Sequence, residues 1–495
     1  MICHQLPKFE REIIHPMEYK HFGLYTDLYE LTMIQGYFLN GRVNEWASFD
    51  YFFRKNPFGG GYTVFAGLND LLHALETLRF EEEDLEYLSS QGFTNRFLDF
   101  LAGFRFRGDI FSVREGELVF PNEPVLTVRG SLIEAQLIET LVLNFLNYQS
   151  LIATKAARIR SVCASRIFID FGMRRAHGIG SLMASRAAVI GGADASSNVM
   201  AGFEYGIPVT GTMAHSWVQS FEDEYTAFLR FAELYPENTI LLVDTYDTLH
   251  SGIPNAIKLA KDLKKSAFRL KGIRLDSGDL LQLSKKARQM LDEAGLVDAR
   301  ILVSNQQDEF SAEKLLSKGA PIDGFGIGTN LVVGRPDAAL DGVYKLSSIN
   351  GQPSIKLSDI TQKTSIPGMK ECFRMYDSSG QMKMDIICEA DTARPEMAIS
   401  LDERKEKISK EAPLEPLTMQ VMQKGKKTNP MPHPLECAHY LKNRMETLPA
   451  PFKLLSTKQS YAVALSQQLF RKREKMIKEI KKSIHESTDH RRRTE

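Results

Sequence analysis

Six short segments hold most of the side chains with chemistry to offer. They are "DFGMRRAHG" with Asp170, Arg174 and Arg175, "GTMAHS" with Thr212 and His215, and "VDTYD" with Asp244 and Asp247. "RLDSGDL" follows with Asp276 and Asp279, "SNQQDEF" with Asn305 and Asp308, and "GFGIGTNL" with Gly326, Gly328 and Thr329. Guanidinium forks match carboxylate or phosphate oxygens. Two carboxylates on one turn suit sugar hydroxyls, or a magnesium ion held mostly by phosphate oxygens. A glycine-rich turn ending in Thr329 and Asn330 leaves backbone N–H groups free to cradle a phosphate. Taken together these groups suit an anionic, phosphorylated sugar. Any one of them has an ordinary explanation as a helix cap or a turn residue. The repetition of the pattern in six segments makes the chemical reading the stronger one.

The repetition also says what positions these residues. Strand-like runs lead into the clusters: "RIFIDFG" from 166, "IPVTGT" from 207, "TILLVDT" from 239, "KGIRLDSGD" from 271, "RILVSN" from 300 and "IDGFGIGT" from 322. Helical patterns such as "AIKLAKDLKKSA" and "LLQLSKKARQMLDEAG" lie between them, with apolar residues three and four apart. Alternating β and α units predict a parallel sheet buried on both faces, and six in succession predict a barrel. Such barrels carry their sites at the C-terminal ends of the strands, where all six clusters fall. The barrel is assigned to residues 146–342. Residues 1–145 and 343–495 read as a mixed α/β domain built from both flanks. "GELVFPNEPVLTVRG" predicts a hairpin around Pro121 and Asn122, and "GVYKLSSINGQPSIKLS" a hairpin turning at Asn350 and Gly351, the two sharing a sheet. The C-terminal stretch from Leu469 predicts a basic, solvated helix.

Composition excludes several classes. With 495 residues, 43% hydrophobic and 25% charged, the chain can bury a large core in two or three domains. Basic and acidic residues number 62 each, so no net field draws the protein to nucleic acid or to an anionic membrane. Cysteines 3, 163, 372, 388 and 437 form no CxxC pair, which argues against disulfides and zinc knuckles. No run approaches 18 apolar residues and the start is too polar for a signal peptide, so the expected location is cytoplasmic.

Several long motifs together resemble one family. "GLYTDLYELTM", "FRKNPFGGGYTVFAGL", "DFGMRRAHG", "GTMAHS", "RLDSGDL" and "GFGIGTNL" stand in the order and spacing of the nicotinate phosphoribosyltransferases, over residues 20 to 375. The resemblance implies an incomplete TIM-like α/β barrel beside a mixed α/β sandwich domain. It implies transfer of a phosphoribosyl group from 5-phosphoribosyl 1-pyrophosphate to nicotinate, with ATP hydrolysis coupled through a phosphohistidine and Mg2+ as the cation. It further implies a homodimer with shared active sites, serving NAD biosynthesis.

Residue roles follow from the same resemblance. His215 matches the phosphorylated histidine, and a neutral imidazole suits that role because one ring nitrogen is free as a nucleophile. Asp223, Glu224 and Asp244 are candidates to hold its other nitrogen. Phe171 and Tyr25 match the pair that sandwiches the pyridine ring, the tyrosine coming from the neighbouring subunit. Asp276, with Asp279, resembles the acid that holds the ribose hydroxyls, and Gly326, Gly328 and Thr329 resemble the phosphate loop. Arg174 and Arg274 face the carboxylate or the phosphates. Asn198, with Thr212 and Arg274, is expected to donate to the nicotinate carboxylate. Gln307 stands where the family often has a hydrophobic residue, so no role is given to it. Two other classes fit less well. A Schiff-base aldolase needs a lysine at a strand end, and Lys271 precedes its strand. A non-catalytic ligand sensor would not need His215, Asp276 and the glycine loop together. The related nicotinamide and quinolinate enzymes share the chemistry.

Overall fold

The structure is a computed structural model that describes residues 21–263, 268–357, 365–392, 394–400 and 404–494. Cys3 and the end of the "AIKLAKDLKKSA" pattern lie outside the described residues. The chain divides into two compact units: the described residues of 151–338 with 433–439, and those of 17–150, 339–432 and 440–495.

In the first unit, short runs of Ile, Leu and Val form strands because both of their faces are covered. They are β1 (Ile167–Asp170), β2 (Ala195–Ser196), β3 (Thr239–Leu242), β4 (Leu270–Leu275), β5 (Arg300–Val303) and β6 (Gly324–Ile327). The order is β2-β1-β6-β5-β4-β3 and every pair is parallel. With β2 and β3 at its two edges, the sheet is a curled half-barrel. The expected strand at 207 gives only one bridge, Ser196 to Val209. Pro208 has no amide with which to extend that ladder. The two-residue β2 carries no periodic signal, and sequence reading passed over it. Ile169, Ile240 and Leu302, from β1, β3 and β5, form one layer inside the curl, with Ile167 and Phe171 packed against it.

Helices follow the strands, and polar residues begin them. Asn198, Asp223, Asp279 and Asp308 each accept backbone N–H groups of the helix that they precede. Residues 433–439 belong with this unit although the sequence reading gave them to the C-terminal return. The imidazole of His433 lies over Gly206, where an added Cβ would come within 3.0 Å of its Nε2 and where φ is +64°.

The second unit holds a seven-stranded antiparallel sheet. Its order is Gln352–Pro353, Gly342–Ile349, Trp46–Phe53, Leu126–Ser131, Asp109–Ser112, Met419–Gln423, Lys426–Lys427. The hairpin at Asn350 and Gly351 is present, with φ of +48° and +75°, as a two-residue turn requires. The other expected hairpin is not. Leu118–Val119 pairs with Thr63–Val64, while Leu126–Ser131 pairs with Trp46–Phe53 and Asp109–Ser112. The segment around Pro121 therefore passes from one sheet to another. Both expected hairpin segments still contribute a strand to the seven-stranded sheet. A second sheet of six strands contains Lys370–Tyr376 and Met382–Glu389. Arg374, fully buried there, holds Asp385 at 2.8 and 2.6 Å and Glu117 at 2.5 Å. Paired in this way, the buried charges are tolerated. The C-terminal helix spans Gln467–Thr494.

Candidate active site

The end of β1 is built on a buried acid. Asp170 accepts from Gly172 N at 2.8 Å, from Ser185 Oγ at 2.8 Å and from Ser196 Oγ at 2.7 Å, and burial raises its pKa. These bonds fix the turn that presents Phe171. The aromatic ring packs close against β6 because residue 326 has no side chain: a Cβ on Gly326 would stand 2.4 Å from the ring. A Cβ on Gly328 would meet Phe171 O at 2.8 Å, and one on Gly172 would meet Val332 at 2.0 Å. The glycines expected in a phosphate loop are thus also what lets the β1 and β6 loops dock. Arg174 and Arg175 follow on a one-turn 3-10 helix, both exposed.

Arg274, on β4, faces Phe171 with its guanidinium carbon 6.0 Å from the ring centre. It donates to Thr212 Oγ1, and to Met213 O at 3.0 Å. Its Nε is buried without a hydrogen-bond partner among the described residues. Burial lowers its pKa, Asp276 and Asp244 oppose that, and Arg174 adds to it. The result is a desolvated cation, locked in orientation, with a donor to spare beside an aromatic face. An aromatic carboxylate fits such a place.

His215 is the first residue of the short helix His215–Gln219. Its Nδ1 lies 3.1 Å from Thr245 Oγ1 and its Nε2 3.8 Å from Asp276 Oδ2. None of the three acids proposed as its orienting partner takes that place. Asp223 caps its own helix, and Glu224 accepts from Ser251 and Asn255. Asp244 Oδ2 accepts from Asp276 N at 2.8 Å and Ser277 Oγ at 2.7 Å. Thr245 was missed by sequence reading although it follows Asp244 directly. So was Ser304, whose hydroxyl donates to Asp276 Oδ1 at 2.5 Å.

Other expected residues are placed differently. Asp279 Oδ1 caps the helix Leu280–Glu293, accepting from Leu281 N at 3.1 Å and Gln282 N at 3.2 Å. Asn198 is fully buried, with Nδ2 donating to Ser181 O and Ser185 Oγ, each at 3.2 Å, and Oδ1 accepting from Ala201 N. Its amide is engaged by these groups inside the protein. Thr212 likewise supports Arg274. Gln307 is buried and its side chain accepts from Ser311 Oγ. Tyr25 belongs to the second unit, where the residue is 42% exposed and its hydroxyl donates to Asn144 Oδ1 at 2.9 Å. Thr329 begins the short helix Thr329–Val332 after Gly328. A cavity of about 610 Å³ lined by Ile167, Ile240, Leu270 and Arg300 opens at the other end of the strands, away from this chemistry.

Among the described residues no three His, Cys, Asp or Glu side chains are grouped to hold a metal. Asp244 Oδ1 is buried without a hydrogen-bond partner among them, and Asp276 lies next to it. That pair fits a magnesium ion completed by phosphate oxygens better than an ion caged by protein.

Comparison with known proteins gives the family. The description "Nicotinate phosphoribosyltransferase (NAPRTase) family" matches residues 167–393, with the corresponding N-terminal domain at 24–147 and C-terminal domain at 369–473. The nicotinate phosphoribosyltransferase of Bacillus subtilis (strain 168) is 41% identical over 479 residues, covering 94% of this chain and 97% of the relative. The crystal structure of human nicotinic acid phosphoribosyltransferase superposes with a TM-score of 0.81 at 31% identity, covering 91% of this chain and 99% of that one. A nicotinate-nucleotide pyrophosphorylase structure from Pyrococcus furiosus, with a TM-score of 0.68 at 22% identity over 87% of this chain and 96% of that one, shares the fold. On this evidence the chain belongs to the nicotinate phosphoribosyltransferase family.

Proposed function

We propose that this protein transfers the phosphoribosyl group of 5-phosphoribosyl 1-pyrophosphate to nicotinate and couples the transfer to ATP hydrolysis through phosphorylation of His215. The product, nicotinate mononucleotide, enters NAD biosynthesis in the cytoplasm. The observation that carries this reading is Arg274, held over Phe171 with Nε unspent. The pyridine ring lies on Phe171 with its carboxylate on Arg274. The pyridine nitrogen attacks C1 of the ribose, the C1–O bond breaks, and pyrophosphate leaves. Asp276, steadied by Ser304 and by the Asp244 bond to its backbone, holds the ribose hydroxyls. Magnesium, when bound, neutralises the leaving pyrophosphate.

In the proposed coupled step, His215 takes the tautomer with the proton on Nδ1, 3.1 Å from Thr245 Oγ1, which puts the lone pair on Nε2, the nitrogen on the Asp276 side. Nε2 attacks the γ-phosphorus of ATP, an N–P bond forms, the β,γ P–O bond breaks and ADP departs. Water later cleaves the phosphohistidine to inorganic phosphate. Pyrophosphate release, assayed with nicotinate, nicotinamide and quinolinate, with and without ATP, tests the whole reading. The expected result is release that requires nicotinate and rises with ATP. A preference for either other pyridine would overturn the assignment.

The same reading includes a homodimer whose sites use Tyr25 of the neighbouring copy. It is supported by two exposed apolar faces. One has Tyr25, Leu28, Tyr29 and Met33, and the other has Val199, Met200 and Phe203 on the helix Val199–Tyr205. Tyr25→Ala and Asp276→Ala proteins, each inactive alone, are expected to recover activity when mixed, since one hybrid site regains both residues. If subunit exchange is demonstrated and no activity returns, the sites are not shared.

A further inference from the structure

We infer that Asn330 is a positioning residue for the phosphoribosyl substrate, setting the shape of the loop after β5 from its own place after β6. The inference rests on the reading of the mouth as a phosphoribosyl-transfer site. The side chain of Asn330 is 7% exposed, and its Nδ2 donates to two successive carbonyls, Gln306 O at 3.0 Å and Gln307 O at 3.1 Å. Those carbonyls belong to a tight turn. Gln307 N closes back on Asn305 O at 2.8 Å, and Asn305 has φ of +87°, in the left-handed region that few residues other than glycine adopt. Such a backbone persists only where its surroundings hold it.

What this turn controls is one residue away. Ser304, whose hydroxyl donates to Asp276 Oδ1 at 2.5 Å, precedes Asn305 directly, and Ser304 N is tied to Leu275 O at 3.0 Å. One end of the Ser304–Gln307 segment is therefore fixed by the sheet and the other by Asn330. Between them the left-handed Asn305 and the exposed Gln306 are presented at the mouth. Asn330 touches neither Asp276 nor any reacting atom. It acts through the carbonyls it gathers, so its loss is read in binding of the sugar phosphate and not of the pyridine, whose contacts lie on Phe171 and Arg274.

The test is calorimetric titration of wild type, Asn330→Asp and Asn330→His with 5-phosphoribosyl 1-pyrophosphate and magnesium, alongside thermal melting and KM for both substrates. Aspartate has the same shape but aims an anion at two carbonyls. Histidine keeps an N–H at the same number of bonds from Cα. The expected result for Asn330→Asp is a dissociation constant for the sugar phosphate raised about tenfold or more, the worth of a hydrogen-bonded clamp. The KM for nicotinate should change less than about threefold, and Asn330→His should recover part of the loss. Equal weakening of both substrates, or a lower melting temperature with unchanged sugar-phosphate binding, overturns the inference. If Asn330→Asp fails to fold, Asn330→Ala replaces it with the same expected split. If the wild type does not bind the sugar phosphate at all, the functional reading itself falls, and the inference with it.

Discussion

His215→Ala protein is expected to show no ATP hydrolysis above background, and a rate of nicotinate mononucleotide formation that ATP no longer raises. In the proposed coupling the phosphoryl acceptor is a single atom, Nε2, and alanine removes it, so ATPase should fall by about 10³ or more, as losses of catalytic nucleophiles do. In the proposed reading the phosphoribosyl transfer uses Phe171, Arg274 and Asp276; the first two make no contact with the imidazole, and Asp276, 3.8 Å from Nε2, is still held by Ser304 Oγ and through its backbone N–H by Asp244. The uncoupled reaction should therefore survive. ADP release and product formation, measured in the same reaction with and without ATP, separate the two effects. An alanine variant that hydrolyses ATP at the wild-type rate would place the phosphoryl acceptor elsewhere. Thr245→Val gives a graded control. It keeps the ring but removes the oxygen 3.1 Å from Nδ1, so coupling should fall by about tenfold.

The barrel was legible in the sequence because its strands are buried on both faces and so stand out as apolar runs, each ending in polar residues. What that pattern cannot separate is a polar residue that faces substrate from one that begins a helix. Asp276 and Asp279 lie three residues apart in one motif, yet Asp276 Oδ1 receives Ser304 and Asp279 caps Leu280–Glu293. The partners of His215 were hidden for a related reason. Which hydroxyl or carboxylate meets the ring depends on the register of β3 against β4, and Asp244 is turned toward Asp276 N by that register, leaving Thr245 for the imidazole. The hairpin at Asn350 could be read locally because two left-handed residues define it. The segment at Pro121 could not, since its two strands do not pair with each other: Leu118–Val119 pairs with Thr63–Val64, and Leu126–Ser131 lies between Trp46–Phe53 and Asp109–Ser112.

The chemistry that distinguishes nicotinate from its amide is expected to reside in Arg274, and Arg274→Met should lower kcat/KM for nicotinate by about 10² while changing nicotinamide turnover far less. Asn198 was the first residue to suggest itself for this role, but its two N–H groups are bound to Ser181 O and Ser185 Oγ, in the same buried cluster as Asp170. An aspartate there would put a second carboxylate beside Asp170, so Asn198→Asp would report the integrity of that cluster and not substrate choice. Arg274 is different in kind. Its terminal nitrogens are engaged by Thr212 and Met213, which fixes the plane of the guanidinium over Phe171, and its Nε remains buried and unspent. A hydrogen bond from a charged donor to a carboxylate in such a place is worth roughly 1.5 to 3 kcal/mol, which corresponds to about ten- to 150-fold. The amide gains no such ionic term and loses little when methionine fills the volume. Arg274→Lys should recover only part of the nicotinate activity, because one ammonium cannot hold Thr212, Met213 O and the substrate in a single plane. The measurement is kcat/KM for both pyridines on all three proteins. Equal losses for nicotinate and nicotinamide, with the melting temperature unchanged, would mean that the carboxylate is read by another cation, with Arg174, close enough to lower the Arg274 pKa, the first to examine.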